Sequence, residues 1–576
     1  MVQRKPKALI KITILQNMPL NFVKRDSCYY IGNNIHSLNS KDIKLLNFYN
    51  ISDLNLKQIE QFIVNLDSFF KDSIFQLLSI CTANRYLSTV HDDVLKAYLI
   101  LEILNKNQET IFVVDSYEEA HQWKKFFTSN SRDVLVLGDN AKYHIKKIVQ
   151  NLLLFVKCIK NIVKEYFCIK LSNKKQNNYS NLNFITWVNN DTENFEKLLH
   201  SNSYFGRLPE EFIKKRNIGL LGHILNRNPD FAKILKINIP FIEEHINISD
   251  IIYAFFKNFS LIFYYNKRVS FKDYNFSSII QNGIMKDFFG GFFIKNLLNY
   301  KAFKRFFKDL PDGATLIYPF ENQPWERGLL KASKEQPKKI NLWAYQFFPI
   351  PKDFLIYHFS EKVKAGGFIP TKILTSDSQT NELLSQQEVE TVLIGSTRFD
   401  ALLKLPATFE LRKKNKILCC LFLDSKEALY LAYKAIEISK QVDCDLSINY
   451  HPQLCNETIV VIKSMIINQS HVTLSESPAK ELLEDVFLVI YNSSSVCFEA
   501  ALRGIPILYI KCENLPNLDR FYNQSESILS ISEGVTFVKS LIENEDFYQK
   551  YSMKIYEMAK TILKPLNVNK LEEMIQ

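Results

Sequence analysis

The sequence has no CxxC pair and no Cys/His cluster at zinc-ligand spacing, which excludes zinc ribbons, zinc fingers and thioredoxin-type dithiols. Glycine and proline are sparse, at 15 and 18 in 576 residues, so the chain is neither collagen-like nor linker-like. Neither a GxGxxG loop nor a Walker loop occurs, and the two glycine pairs that come nearest, Gly219-Leu-Leu-Gly222 and Phe289-Gly-Gly-Phe292, have neither form. No repeat of period 20–50 is visible. The longest apolar run, Ile251–Tyr265, contains Lys257 and Asn258 and falls short of the roughly 18 to 20 residues that span a bilayer.

What is abundant points to a folded chain. Hydrophobic residues make up 47%, with 44 Phe and 27 Tyr, and aromatic burial is a strong folding force. The net charge of +11 is a mild excess for this length. It suits an anionic substrate, a membrane surface or nucleic acid without choosing among them, and no nucleic-acid motif accompanies the basic runs Lys142–Lys147 and Arg412–Lys416. The ten cysteines, several in apolar segments such as Ile417–Leu423, read as buried free thiols in a reducing cytoplasm. The N-terminus is basic and then apolar, but Lys11 interrupts it and no small-residue cleavage site follows. It reads as a strand and not a signal peptide. A cytoplasmic protein, at most peripherally attached to a membrane, is expected.

Apolar spacing divides the chain into three parts. Residues 1–105 read as an N-terminal extension, a short strand followed mainly by helices. Residues 106–385 read as an α/β domain with helical insertions, beginning with the strand–helix–strand unit Thr110–Gly138. Residues 386–576 alternate cleanly between strand and helix, with Lys416–Leu423, Asp445–Tyr450, Val472–Leu474, Phe487–Tyr491 and Ile507–Ile510 as strands.

Three segments carry chemistry. In Phe487–Tyr509 a buried strand runs into Asn492 and Ser493-Ser494-Ser495, then a helix with Glu499, with Gly504 ending it and Pro506 preventing its continuation. Serines at a helix start beyond a strand's carboxyl end suit an anion, since free N–H groups and the helix dipole favour one by about 0.3–1 kcal/mol. His451-Pro452 follows the strand Asp445–Tyr450, at the sheet edge where ligands bind in open α/β sheets. Tyr318–Gly328 places Glu321 and Glu326 on either side of an amide pair and a Trp, just after the strand Ala314–Tyr318. A carboxylate in such surroundings takes on a raised pKa and can serve as a base. Asp443-Cys-Asp445 has DxD form but precedes its strand, so it faces away from that edge. No metal site is expected.

The order of these motifs resembles a known group. His-Pro followed about forty residues later by the serine turn, with Glu499-Ala-Ala-Leu-Arg-Gly-Ile-Pro506 behind it, is similar to the nucleotide half of GT-B glycosyltransferases. The likeness is strongest to bacterial sialyltransferases and Kdo transferases, which carry HP and SS motifs and use CMP-activated sugars. Glu321–Glu326, Trp343-Ala-Tyr-Gln346 and Ile394–Asp400 resemble a bacterial surface-carbohydrate biosynthesis family. The resemblance implies two Rossmann-like domains facing a cleft, the second holding a nucleotide-sugar donor and the first a glycan or lipid-linked acceptor, as in lipopolysaccharide or capsule assembly. It implies His451, Pro452, Ser493, Ser494 and Ser495 at the donor phosphate, Glu499 at the ribose, and Glu321 or Glu326 as base, with no metal or other cofactor. The alternatives are a CDP-glycerol-type glycerophosphotransferase and a catalytically inactive GT-B-like scaffold.

Overall fold

The computed structural model describes residues 9–14, 28–30, 44–45 and 53–575, apart from 71, 86, 107–108, 115, 137–140, 172–178, 189–197, 200–201, 203, 225–229, 235, 238, 265–266, 410–414, 513–515 and 523. The basic run at 412–416 thus lies outside the described residues except at its last two positions.

The cleanest strand–helix alternation in the sequence produces the cleanest sheet. β14 (Lys416–Cys420), β15 (Asp445–Asn449), β16 (Val472–Ser475), β17 (Leu488–Tyr491), β18 (Ile507–Ile510) and β19 (Ser527–Ile528) form a parallel sheet in the order β16-β15-β14-β17-β18-β19. Counted within this unit the order is 3-2-1-4-5-6, the dinucleotide-binding arrangement, whose strand order reverses between β14 and β17. β17 and β18 are apolar and buried along their whole length, and β14 is so after Lys416, as a sheet covered on both faces requires. Helix Ser425–Gln441 between the first two strands is capped by Asp424, which accepts from the N–H groups of Lys426 and Glu427 at 3.0 Å each.

A second parallel sheet contains β6 (Leu182–Val188), β7 (Gly219–Ile224), β10 (Thr315–Pro319), β11 (Asn341–Gln346), β12 (Lys372–Thr375) and β13 (Thr391–Leu393). Its order, β13-β12-β11-β10-β6-β7, reverses between β6 and β10. The long helical insertion Phe231–Asp309 separates β7 from β10 and includes a two-stranded hairpin, β8 (Ser270–Phe271) with β9 (Tyr274–Asn275). The GT-B-like pair of Rossmann-like units expected from the sequence is present.

The first part of the chain differs from expectation. The described part of residues 1–105 is mainly helical from Asp53 onward, but it is not a separate extension. β1 (Leu9–Ile14), β2 (Cys28–Tyr30) and β3 (Lys44–Leu45) join β4 (Glu109–Val114) and β5 (Asp133–Val136) in a third parallel sheet, ordered β3-β2-β4-β1-β5. β1 pairs with both β4 and β5, so the boundary drawn between 105 and 106 cuts one sheet, and the strand–helix–strand unit belongs to it and not to the middle sheet. This sheet and the middle one share one continuous apolar core, while the last sheet has its own. The boundary at 385–386 also moves, because β13 pairs with β12.

The C-terminus returns to the middle unit. Ser396 N–H donates to Lys564 O at 2.8 Å, Asn567 N–H donates to Ile394 O at 2.7 Å, and Leu571 is buried in the shared core. Gly395 permits this close approach: its φ is +87°, and a Cβ there would lie 2.0 Å from Pro565 O.

Candidate active site

Glu321 lies just beyond β10, at the reversal point of the middle sheet. The turn is fixed by Asn322, with φ +49°, whose amide donates to Ile356 O at 2.6 Å. Pro324 then opens helix Pro324–Lys334 at a position where no N–H is needed. Glu321 Oε2 accepts from Gln323 Nε2 at 2.6 Å. Burial raises its pKa to about 7, against the opposing effects of that hydrogen bond and the charge of Arg520. Aromatic rings crowd the same region. Trp187 meets Trp325 at 6.2 Å and Tyr204 at 4.6 Å, and Tyr204 meets Phe347 at 5.1 Å. Glu321 is near enough for its charge to raise the Tyr204 hydroxyl further than burial alone does.

Glu326 is placed differently. It is 0% exposed, and its Oε1 accepts from the Glu321 N–H at 3.0 Å. Burial raises its pKa well above the usual range, against several backbone N–H groups. An acid enclosed in this way braces the turn that presents Glu321.

Across the interface, His451 follows β15, and its carbonyl accepts from Leu454 N–H at 2.9 Å, closing a turn with Pro452 at its second position. His451 Nδ1 accepts from Gln453 N–H at 3.1 Å, so the ring proton sits on Nε2. Desolvation, and then the charge of Arg398, lower its pKa to about 4. Near neutral pH it is a neutral N–H donor. Arg398, on the Ile394–Asp400 loop of the middle unit, also meets Glu499 of the last unit, Nη2 to Oε1 at 2.6 Å.

The three serines diverge. Ser493, 2% exposed, donates its hydroxyl to Glu427 Oε2 at 2.6 Å. Ser494 Oγ accepts from Val496 N–H at 3.4 Å, which leaves its own hydrogen to donate. Ser495 is half-buried and makes no capping bond to helix Val496–Leu502. The helix follows the serines as expected, but it has only seven residues, Val496–Leu502, so its dipole is small. Gly504 ends it as expected, with φ +71°.

Four residues that the sequence reading did not single out tie the parts together. Arg520, 4% exposed, donates from Nε to Ser493 O at 2.8 Å and from Nη1 to Pro349 O, and stacks over Phe348 at 5.1 Å. It therefore joins the serine turn of the last unit to the middle unit, close enough to Glu321 to act on its charge. Glu427 holds Ser493 and is itself held by Arg85 of the first unit, Nη1 to Oε1 at 2.8 Å. Arg85 also pairs with Asp92 at 3.1 Å. Burial raises Glu427 to about 7, outweighing the charge of Arg85. Arg520 lies in a loop without a motif, and Glu427 in the first turn of a helix looks like an ordinary dipole partner. Arg398 fell inside a segment that was noticed for its resemblance and not for its charge.

Asp445 begins β15, so the DxD pair lies at the edge opposite His451. Among the described residues no group of three His, Cys, Asp or Glu side chains is arranged to hold a metal ion, and no helix is long and apolar enough to cross a membrane.

No protein-family model and no curated protein matches the chain. Solved structures with a loosely similar architecture include a putative UDP-N-acetylglucosamine 2-epimerase from Listeria monocytogenes, at 12% identity over 68% of this chain and 95% of that one, with a TM-score of 0.41. MurG from Acinetobacter baumannii is 9% identical over 68% and 99%, with a TM-score of 0.38. The wall teichoic acid polymerase TagF is 11% identical over 74% and 96%, also with a TM-score of 0.38.

Proposed function

We propose that the protein is a glycosyltransferase that moves a sugar from a nucleotide donor to a glycan or lipid-linked hydroxyl in bacterial surface polysaccharide assembly. The observation that carries this reading is the meeting of two sheet reversal points. Glu321 stands beyond β10 and Ser493 beyond β17, and Arg520 links the two sides. Ligands of open α/β sheets bind at such points.

In this reading Glu321 takes the proton of the acceptor hydroxyl as that oxygen attacks the anomeric carbon. His451 Nε2–H, Ser494 and Ser495 donate to the departing phosphate, and Pro452 fixes the turn that aims the imidazole. Glu499 has one carboxylate oxygen on Arg398 and offers the other to a ribose hydroxyl. Ser493 shapes the turn through Glu427. An acidic sugar on CMP is the preferred donor, since its carboxylate would add a further negative charge for Arg398 and Arg520.

The pH dependence follows from the two titrating groups. Glu321 acts as a base only when deprotonated, so transfer should rise as pH passes upward through about 7. His451 is already neutral above about 4, so it adds no limb between pH 5 and 9. A falling limb in that range, or a flat profile, would contradict these assignments. The nucleotide is tested by thermal shift of the full chain with CMP, CDP, UDP and GDP. A bound nucleotide at about 100 times its Kd adds roughly 2.7 kcal/mol. A rise in melting temperature with CMP supports the preferred donor, a rise with another nucleotide redirects it, and no rise with any counts against transfer from a nucleotide.

A further inference from the structure

Helix Ile248–Phe259 is inverted relative to an ordinary surface helix. Two of its polar residues point inward: Asp250 and Asn258 are buried, beside Ala254. Asp250 is held by the guanidinium of Arg305, with Nη2 to Oδ1 at 2.8 Å, and Asn258 donates to Phe288 O at 3.3 Å. Several large apolar residues point outward. Ile252 is 54% exposed and Phe256 68%, and Phe263, in the turn that follows, is 81% exposed. The spacing 248, 252, 256, 259 and 263 makes one stripe.

Beside it runs helix Ala141–Leu171, of 31 residues. The two are joined where the Phe155 ring meets Phe255 at 6.1 Å and Phe259 at 6.3 Å. This helix too exposes apolar side chains, among them Leu152, Leu153 and Val156. It carries seven lysines and one acidic residue, Glu165, and Lys146, Lys157, Lys160 and Lys164 are exposed.

We infer that these two helices form a docking surface for an anionic lipid bilayer, lying along its interface without crossing it. A face of Phe, Leu and Ile edged by lysine is the composition of an interfacial helix. The charge pattern selects the occupant. A second copy packed about a two-fold axis would set lysine against lysine, whereas an anionic leaflet attracts each one. A helix of this length lies about 46 Å along the surface, enough to fix the orientation of the molecule. The inference rests on this surface and not on the chemistry proposed for the cleft.

The test is sedimentation of the full chain with vesicles. Binding is expected to phosphatidylglycerol-containing vesicles and not to pure phosphatidylcholine. Changing Lys157, Lys160 and Lys164 to Gln should weaken it roughly 100-fold, about a factor of five for each lysine near the surface. Phe256→Ser with Phe263→Ser should weaken it on the order of tenfold or more. Both variants change exposed residues, and an unchanged melting temperature confirms that they fold. Failure of the wild type to bind phosphatidylglycerol vesicles overturns the inference, as does equal binding by the variants. A wild-type dimer that becomes monomeric with the two Phe changes, by light scattering, would assign the face to a second copy instead.

Discussion

Replacing Glu321 by Gln is expected to lower transfer about 10²–10⁴-fold, the usual contribution of a positioned base, with nucleotide affinity unchanged. The side chain keeps its shape, and its amide oxygen can still accept from Gln323 Nε2, now 2.6 Å from Oε2. What is lost is the proton acceptor. Removing an acid that burial raises to about 7 also relieves a desolvation cost, so the melting temperature should hold or rise. Glu326→Gln gives the contrast. Glu326 accepts the Glu321 N–H, and a glutamine oxygen accepts it equally well, so transfer should stay within a few-fold. Equal losses in the two variants would mean that the turn matters as a structure and that Glu321 is not the base. The rate is measured under saturating donor, with Kd for the nucleotide determined separately.

The second large effect is on stability. Arg85 is buried between Asp92 and Glu427, and removing one partner from a buried ion pair costs about 3–5 kcal/mol because the other charge is left enclosed. Arg85→Ala should therefore lower the melting temperature by about 3–6 °C. Glu427 would then be pushed up further, having lost the cation that opposes its burial. The double change Arg85→Met with Glu427→Met should recover part of the loss, since apolar residues can replace a buried pair. A melting temperature unchanged by Arg85→Ala would show that the first unit does not brace the serine turn. This differs from a catalytic effect: the full chain should still bind nucleotide at temperatures well below its melting point.

Legibility in the sequence followed the locality of the signals. The last sheet was readable because most of its strands are short apolar runs separated by helices, with local boundary signals such as the Asp424 cap and Gly504. The first sheet was not. β2 and β3 have three and two residues, below the length at which alternation can be seen. β1 was read as a strand, but its partners β4 and β5 begin 100 and more residues later, and pairing at that distance leaves no local pattern. The apolar run that holds most of helix Ile248–Phe259 is legible in the sequence as too short to span a bilayer. Periodicity shows that a helix has two faces; it does not say which one meets the core, and here the face with Asp250, Ala254 and Asn258 does.

The candidate site shows the same division. Glu321, His451 and the serine turn were found because each follows a strand at the carboxyl edge of its sheet. Their roles could not be divided from sequence. Glu321 and Glu326 are both acids in one short segment, and only burial separates an enclosed brace from a group at the interface. Ser493 was grouped with its neighbours, yet Glu427, 66 residues earlier, claims its hydroxyl. Arg85, Arg398 and Arg520 come from three parts of the chain, and contacts between units set their positions.

The central claim is that the edge carrying His451 and the serines holds the donor nucleotide, while Glu321 acts on the acceptor. Isothermal titration of CMP into the full chain, its Glu321→Gln variant and its His451→Ala variant tests it most directly. The account predicts saturable binding to the wild type, the same Kd for Glu321→Gln, and a Kd raised about 10–100-fold for His451→Ala, the loss of one hydrogen bond to a charged group. No binding to the wild type, or an unchanged Kd for His451→Ala, would contradict it.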